Sequence, residues 1–281
     1  MGVTNSLAKT NQKLGLTAYL TKDAVKDQIS KVVGGKDGQR FISAIVSATT
    51  TNPALQECSN PSILSAALLG ESLKLSPSPQ LGHYYLVPYN DKNGKVAQFQ
   101  LGYKGYIQLA IRSGQYKKLN VMAIKEGELE YFDPLNEDIK INLMVDNWDA
   151  RESAPTIGYY AFFELVNGFR KAIYWSKAQM ESHATKYSPG YRAKKGYTFW
   201  EKDFDQMAYK TMLRQLISKW GIMSIELQTA FEGDMAVINE DGSKNYVETD
   251  ENVIEMSTIE EASAPETVAE PTNDAESALF N

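Results

Sequence analysis

The sequence predicts an α+β protein in which helices pack on an antiparallel sheet. Two pairs of segments rich in Tyr, Phe, Val and Ile surround the dipeptides Asn93-Gly94 and Asn167-Gly168. Because Asn-Gly readily adopts the positive φ angles of tight hairpin turns, each pair of segments predicts two antiparallel strands. Other segments carry apolar residues at helical spacing, such as Phe41 and Ile45. Hairpins with helices between them together indicate the α+β class.

The individual elements follow from these patterns in chain order. Ile29 and Val32 have helical spacing in the first helix, and Asn52-Pro53 is a stop signal for the second. Asn60 or Ser62 is expected to cap the third helix. The predicted elements are helices at 22–33, 38–50 and 61–74, strands at 83–89 and 95–101, a helix at 103–113, strands at 119–131, 139–145, 156–166 and 169–175, and helices at 176–185 and 201–220.

Composition places the chain among ordinary soluble globular proteins. It has 281 residues, of which 43% are hydrophobic and 23% charged, so it can bury a sizeable core in one large domain or two small ones. Its apolar runs fall short of the roughly 18 residues that a membrane span needs, and its first residues lack a signal-peptide core. Cys58 is the only cysteine and His83 and His183 are the only histidines, which excludes an intrachain disulfide and a Cys/His zinc site. We expect a cytoplasmic protein without membrane contact.

The net charge of −6 averages two unlike parts of the chain. Residues 233–281 contain one basic and 13 acidic residues, a net charge of −12, whereas residues 1–232 contain 28 basic and 22 acidic residues, a net charge of +6. A basic body with an acidic tail predicts a polyanion-binding domain and a solvated appendage. We predict a flexible N-terminus at 1–20, a folded body at 21–232 and an acidic, disordered tail at 233–281.

The segment 186–200 carries the strongest local signal for nucleic acid. It holds four cations, five aromatic residues and no acid, and its Pro and Gly residues predict a loop. Cations follow the phosphates of a single strand, and aromatic faces stack on its bases at roughly 1–3 kcal/mol each. The alternative is a solvated basic loop whose aromatic side chains turn into the core, as we expect for Phe199 and Trp200. The candidate DNA-binding residues of this segment are Lys186, Tyr187, Tyr191, Arg192, Lys194 and Lys195.

A second signal lies between Asp91 and Glu126, where the sequence has seven cations and no acid. Lys104, Gln108 and Arg112 recur at intervals of four residues, so they form one polar row on the predicted helix. The apolar face of this helix is predicted to be Ile107, Ala110 and Ile111. The candidates for DNA contact in this stretch are Lys104, Arg112, Lys117 and Lys118.

The predicted helix 201–220 repeats this pattern. Its polar row consists of Gln206, Lys210 and Arg214, all candidates for DNA contact. Asp203 lies in the same arc and is an alternative partner for Lys210 or Arg214. The buried stripe is predicted to be Tyr209, Leu213, Leu216 and Trp220. Either row alone fits an ordinary solvated face equally well, but two rows and the aromatic loop together favour a nucleic-acid surface.

Signals for catalysis are weak. The sequence lacks a GxxxxGK[ST] phosphate loop, and neither histidine has a nucleophile in a recognisable motif. Asp133, Asp138 and Lys140 form a faint pattern of a metal-dependent DNA nuclease, which is the alternative function. A third alternative is a structural oligomer whose basic face binds nothing specific. We expect no catalytic residues and no metal ligands.

Four segments occur in an order more specific than any single motif. They are 64–75 (LSAALLGESLKL), 78–89 (SPQLGHYYLVPY), 100–106 (QLGYKGY) and 203–217 (DFDQMAYKTMLRQLI). Together they make the chain resemble the RecT family of phage single-strand annealing proteins. The resemblance implies a non-enzymatic protein that coats single-stranded DNA and promotes its pairing with a complementary strand, without ATP, in phage homologous recombination. It also implies a Rad52-like β-β-β-α core and DNA contacts from Lys104, Gln206, Lys210 and Arg214.

The resemblance also implies partners and a place of action. The partners are single-stranded DNA, the complementary strand or nascent duplex, and further copies of the chain in a ring or helical filament. A partner exonuclease and the host single-strand-binding protein are candidate ligands of the acidic tail. No cofactor is required, although Mg²⁺ can modulate DNA binding, and the protein is expected in the cytoplasm of a bacterial host cell. The hairpin tip 91–95 and the loop 186–200 are alternative candidates for a wedge between bases.

Overall fold

The structure, a computed structural model, describes residues 15–34, 37–91, 94–196, 198–239 and 241–246. Its helices are α1 (Leu16–Leu20), α2 (Asp23–Val33), α3 (Gly38–Thr50), α4 (Pro53–Gln56), α5 (Asn60–Ser72), α6 (Tyr103–Arg112), α7 (Trp148–Ser153), α8 (Lys177–Tyr187), α9 (Pro189–Arg192), α10 (Phe199–Lys202), α11 (Phe204–Trp220) and α12 (Ile225–Gly233). Its strands are β1 (Tyr84–Asp91), β2 (Gly94–Leu101), β3 (Tyr116–Lys125), β4 (Leu129–Asp133), β5 (Asp138–Ile141), β6 (Thr156–Leu165), β7 (Arg170–Ser176), β8 (Ala236–Ile238) and β9 (Lys244–Tyr246). Within these ranges no helix combines the length and apolar character needed to cross a membrane.

The strands form antiparallel sheets, which confirms the predicted α+β class. One sheet has the order β1-β2-β8-β9, a second has the order β3-β6-β7, and a third pairs β4 with β5. The sequence predicted one sheet, whereas the structure has three among the described residues, because β3 pairs with β6 and not with the first hairpin. Helices α8 and α11 pack on the β3-β6-β7 sheet.

Both predicted hairpins are confirmed. In the first, β1 and β2 pair from Tyr84 opposite Leu101 to Asp91 opposite Gly94. In the second, β6 and β7 pair from Gly158 to Glu164, and Gly168 in the turn has a φ of 87°. That angle is one that glycine adopts without steric cost, as the Asn-Gly signal requires. Asn93 itself lies outside the described residues.

Two apolar cores share the long helix α11. One core joins α1 to α6 with β1, β2 and α12, and receives Leu213 and Ile217 from α11. The other joins β3, β6 and α8, and receives Met212 and Leu216 from the same helix. Because α11 contributes to both cores from 208 to 217, it lies where the two groups of elements meet.

Several predicted element boundaries differ from the structure, and two of the differences have a clear local cause. Ser59, and not Asn60 or Ser62, caps α5, because its side-chain oxygen accepts the Ser62 backbone N–H. The predicted strand 119–131 divides into β3 and β4 at a turn in which Gly127 has a φ of 86°. The glycine permits a left-handed conformation that ends the strand, so Gly127 marks the turn that the sequence prediction placed inside one strand.

The folded body extends beyond the predicted limits of 21 and 232. Leu16–Leu20 form α1, whose Leu20 is fully buried in the first core. After α12, Asp234 is buried and the three residues of β8 are buried, with Ala236 paired to Phe99 of β2. The body therefore includes residues up to Tyr246. The predictions of flexibility at 1–14 and of disorder at 247–281 concern residues outside the described ones.

Candidate nucleic-acid interface

Tyr85 of β1 brings together three segments that are remote in the sequence. The centroid of its ring lies 5.8 Å from that of Phe199 in α10. Burial raises the pKa of Tyr85, and the charges of Tyr103 and Asp203 raise it further. A Cβ atom at Gly82 would lie 3.0 Å from the Tyr85 hydroxyl oxygen and 3.3 Å from Lys104 Cδ, so these two side chains lie against the same glycine. Lys104 is exposed beside Tyr103, with Nζ 5.9 Å from the centroid of that ring. We call Tyr85, Tyr103, Lys104, Phe199 and Asp203 the Tyr85 cluster.

Glycines allow the helix that carries Lys104 to approach β1 closely. The Gly102 N–H donates to the carbonyl oxygen of His83 at 2.8 Å, immediately before α6 begins. A Cβ atom at Gly102 would collide with the carbonyl oxygen of Gly82, and one at Gly105 with that of His83. The two glycines of the segment 100–106 therefore hold Lys104 beside Tyr85, which any larger residue would prevent.

The surroundings of His83 are electropositive. Burial lowers the pKa of His83, and the charges of Arg112 and Lys104 lower it further. Its Nδ1 accepts a hydrogen bond from the Ser76 N–H at 3.3 Å. The histidine is thus a neutral structural side chain, and the two cations create a positive potential on this side of α6.

The polar row on α6 is only partly as predicted. Lys104 and Gln108 are exposed, but Arg112 donates from Nη2 to the Leu73 carbonyl oxygen at 2.6 Å, at the end of α5. The predicted apolar face is wrong at Ile111, which is 57% exposed. The residues of α6 that are buried are Gly105, Tyr106, Leu109 and Ala110.

The loop 186–200 has an aromatic underside and a basic outer side. Tyr191 and Trp200 pack against the second core, with ring centroids 6.2 Å apart. Phe199, which we expected to be buried, is 41% exposed and faces Tyr85. The outer side consists of Lys186, Arg192, Lys194 and Lys195, all exposed, and Tyr187, which is partly exposed. Trp200 and Tyr191 therefore turn towards the core, as one interpretation of this loop predicted. Phe199 and Tyr187 are accessible for stacking on bases, as the other predicted.

Lys117 and Lys118 lie in a charge cluster at one end of the β3-β6-β7 sheet. The Glu164 carboxylate is 2.6 Å from Lys117 Nζ, 3.7 Å from Lys118 Nζ and 3.0 Å from Arg170 Nη2. The three cationic side chains are at least 60% exposed, whereas that of Glu164 is 3% exposed. Three surface cations around one recessed carboxylate leave a positive surface suited to phosphate. The sequence signal missed Arg170, which faces Lys118 only because β6 lies between β3 and β7.

Lys210 and Arg214 surround the carboxylate of Asp234 instead of forming an open polar row. Lys210 Nζ is 2.8 Å from Oδ1, and Arg214 Nη1 is 3.0 Å from Oδ2. The Tyr106 hydroxyl group and the Leu101 N–H also donate to this carboxylate, each at 2.9 Å. Burial by itself raises the pKa of Asp234, but the two cations hold it below its ordinary value. Lys210 is only 6% exposed, so a phosphate reaches it only after a rearrangement.

The proposed pairing of Asp203 with Lys210 or Arg214 is wrong. Asp203 instead caps α11, where its carboxylate accepts the Gln206 N–H at 3.1 Å and the Gln206 side-chain amide. Gln206 is exposed beside the Tyr85 cluster, and the Arg214 side chain is 35% exposed. DNA contact by Gln206, Lys210 and Arg214 stays a prediction, with Gln206 the most accessible of the three.

The predicted buried stripe on α11 is confirmed in the middle of the helix but is wrong at its C-terminal end. Leu213 and Leu216 are fully buried, and Tyr209 is partly buried. Trp220 is 46% exposed, and its ring lies 3.6 Å from Lys171 Nζ. The last turn of the helix therefore contacts a lysine of β7 instead of a purely apolar surface.

Two of the three candidate nuclease residues, Asp133 and Lys140, have other partners. Asp133 Oδ1 accepts the Leu135 N–H at 2.8 Å in the turn between β4 and β5. Lys140 pairs with Glu130 across the same hairpin. In the described part of the chain no group of three or more His, Cys, Asp or Glu side chains has a geometry that could hold a metal ion.

The fold and this surface define a class of protein, an α+β protein whose cations and aromatic rings suit single-stranded nucleic acid. The model of the RecT family matches residues 39–254. The chain is 42% identical over 239 residues to "Uncharacterized protein YqaK" of Bacillus subtilis (strain 168), covering 84% of this chain and 76% of that protein. It is 29% identical over 222 residues to "Protein RecT" of Escherichia coli (strain K12), covering 77% of this chain and 79% of that protein. The chain therefore belongs to the RecT family, and this membership supports a single-strand annealing role in recombination.

Proposed function

We propose that this chain coats single-stranded DNA and promotes its pairing with a complementary strand without ATP, in a bacterial host cell during phage recombination. The observation that carries the proposal is the Tyr85 cluster, in which the exposed Lys104 and the exposed Phe199 ring, from distant segments, lie beside Tyr85. This is the combination of cation and aromatic face that single strands require.

Annealing needs charge neutralisation before it needs sequence recognition. Two complementary strands repel each other, because duplex DNA carries one charge per about 1.7 Å of its axis. Lys104 and the cations of the loop 186–200 offset the charge of one strand, so that a second can approach. Base pairing then selects the sequence, and the protein contacts only backbone and base faces. No cofactor is part of this step, and Mg²⁺ acts on the DNA charge.

The proposal includes a Rad52-like β-β-β-α core and assembly of copies into a ring or filament. The β3-β6-β7 sheet with α8 directly after β7 supports this core, since it supplies three antiparallel strands and a helix. Assembly would make one continuous groove in which many weak contacts add up. A partner exonuclease and the host single-strand-binding protein remain proposed ligands of the acidic tail.

The test mixes complementary fluorescent oligonucleotides with the protein, without ATP, in magnesium or in chelator. We expect accelerated annealing with intact strands in both conditions. In Lys104→Gln, annealing should slow and the dependence of log K on log salt for single strands should fall by about 0.7, the value of one phosphate contact. The matched control is Lys31→Gln, an exposed lysine in the last turn of α2. Strand cleavage in magnesium would favour the nuclease instead, and the absence of acceleration would refute annealing.

A further inference from the structure

Three aromatic rings form a row beside the loop 186–200. Trp175 lies near the end of β7, and His183 and Tyr187 are one turn apart on α8. The ring centroid of His183 lies 5.5 Å from that of Trp175 and 4.5 Å from that of Tyr187. All three side chains are partly exposed. We call these three residues the α8 row.

A groove of about 570 Å³ follows the α8 row. The small residues Ala178 and Ser182 leave space between the rings, and Lys186 lies at its rim. An adjoining groove of about 540 Å³ is also lined by Ala178, Ser182 and Lys186, and it extends to Arg192. Both volumes lie in the range of about 300–1,000 Å³ that is usual for small-molecule sites, so there is room for an unpaired base.

The chemistry of this groove fits a base and its phosphate. Burial, aided by the charge of Lys186, lowers the pKa of His183 to about 4, so its ring is neutral at physiological pH. Lys186 Nζ lies 5.2 Å from the centroid of the Tyr187 ring. Arg192 adds a second cation in the adjoining groove, which Glu181 also lines. The groove thus offers uncharged aromatic faces with cations at its rim, as stacking sites for single strands do.

We propose that the α8 row is a base-stacking site for single-stranded DNA. Unpaired bases lie against Trp175, His183 and Tyr187, while Lys186 and Arg192 contact the neighbouring phosphates. This inference rests on the proposed annealing function and identifies where the bases are held apart before they pair.

Trp200 connects this site to the Tyr85 cluster. Its ring centroid lies 6.3 Å from that of His183, and its sequence neighbour Phe199 contacts Tyr85. Trp200 is 7% exposed, so it supports both surfaces from below. One strand can therefore follow Lys104, Phe199 and the α8 row in turn.

The experiment compares the affinity of the full chain for an oligothymidylate and for an abasic deoxyribose-phosphate oligomer of the same length, by fluorescence anisotropy. His183→Ala and Tyr187→Ala should each weaken oligothymidylate binding about tenfold, the typical loss of one stacked ring. Binding of the abasic oligomer and the salt dependence should not change, because the cations remain. His183→Phe keeps a neutral ring and should retain wild-type affinity for oligothymidylate. The matched control is Tyr131→Ala, which removes an exposed ring of the β4-β5 hairpin.

The outcomes separate this site from the proposed function. Equal losses with both oligomers, or no loss with either, would overturn the stacking site while leaving annealing by the wild-type chain intact. Failure of the wild-type chain to bind either oligomer would overturn both. A loss in His183→Phe as large as in His183→Ala would also overturn it, since the ring would then not be what binds.

Discussion

Asp234 decides what Lys210 and Arg214 can do in this conformation. The sequence shows the four-residue spacing that places the two cations on one side of α11, but it does not show that Asp234 is their partner. Asp234 lies 24 positions from Lys210, beyond the end of α12, so no periodicity links them. Tyr85 was missed for a similar reason, because nothing in a strand sequence marks which ring will meet a distant loop. Lys104 was found because its exposure follows from helical spacing alone.

Asp234→Asn should destabilise the fold strongly. The change leaves two cations beside a neutral amide in a buried site, and breaking a buried ion pair by removing one partner costs about 3–5 kcal/mol in the free energy of unfolding. The measurement is chemical denaturation at neutral pH, with the exposed Asp146→Asn as the control. An unfolding midpoint equal to that of the wild type would contradict the role of Asp234 as an anchor.

The same variant should change the pH dependence of stability. The pKa of Asp234 is held below its ordinary value, after burial alone would have raised it. Its stabilising contribution is therefore present above the pKa of the unfolded chain, about 3.9, and is lost as pH falls through the folded pKa. The stability difference between wild type and Asp234→Asn should accordingly shrink towards low pH.

At the scale of elements, the sequence predicted turns and helices well, whereas it predicted features that depend on tertiary packing less well. The Asn-Gly hairpins and helices α2, α3, α6 and α11 lie within a few residues of their predicted bounds, since turns and helices depend on neighbouring residues. The segment 186–200 was expected to be a loop, and it contains α9 and the first two residues of α10, each helix with a side-chain cap. Which of its rings turn inward depends on the second core, which the local pattern does not contain.

Glu201 holds the end of this segment. Its carboxylate accepts the Gly196 N–H at 2.8 Å, the Thr198 N–H at 3.1 Å and the Thr198 hydroxyl group at 2.7 Å. Glu201→Ala removes these bonds, at a cost typical of a lost cap, about 0.5–2 kcal/mol. We expect several-fold faster tryptic cleavage after Lys194 and Lys195 in limited proteolysis, because local opening becomes more frequent.

The control for this prediction is Glu152→Ala, an exposed acid on α7. Cleavage of Glu201→Ala at the wild-type rate would show that the loop is held by the packing of Trp200 alone. Slower annealing in Glu201→Ala is the further expectation, since the cations of the outer side would lose their fixed positions.

At the scale of the whole molecule, the structure moves the boundary between the basic body and the acidic tail. The sequence placed this boundary at 233, where the composition changes, but composition does not reveal that Asp234 and β8 complete the first sheet. With the body ending at Tyr246, it holds 29 basic and 25 acidic residues, a net charge of +4. Residues 247–281 hold ten acidic residues and no basic one, a net charge of −10.

This boundary determines which truncation tests the tail. A chain ending at Glu232 loses Asp234 along with the tail, so its binding defects would reflect a damaged fold. A chain ending at Tyr246 keeps every described element and lacks the ten acidic residues of 247–281.

We expect this shortened chain to bind single-stranded DNA several-fold more tightly than the full chain at about 50 mM salt. At about 500 mM the two affinities should be nearly equal, because screening shortens the reach of the tail charges. Fluorescence anisotropy across this range is the measurement, with thermal unfolding to verify that the fold is intact. Equal affinities at low salt would mean that the tail does not compete with DNA and would leave recruitment of partners as its proposed role.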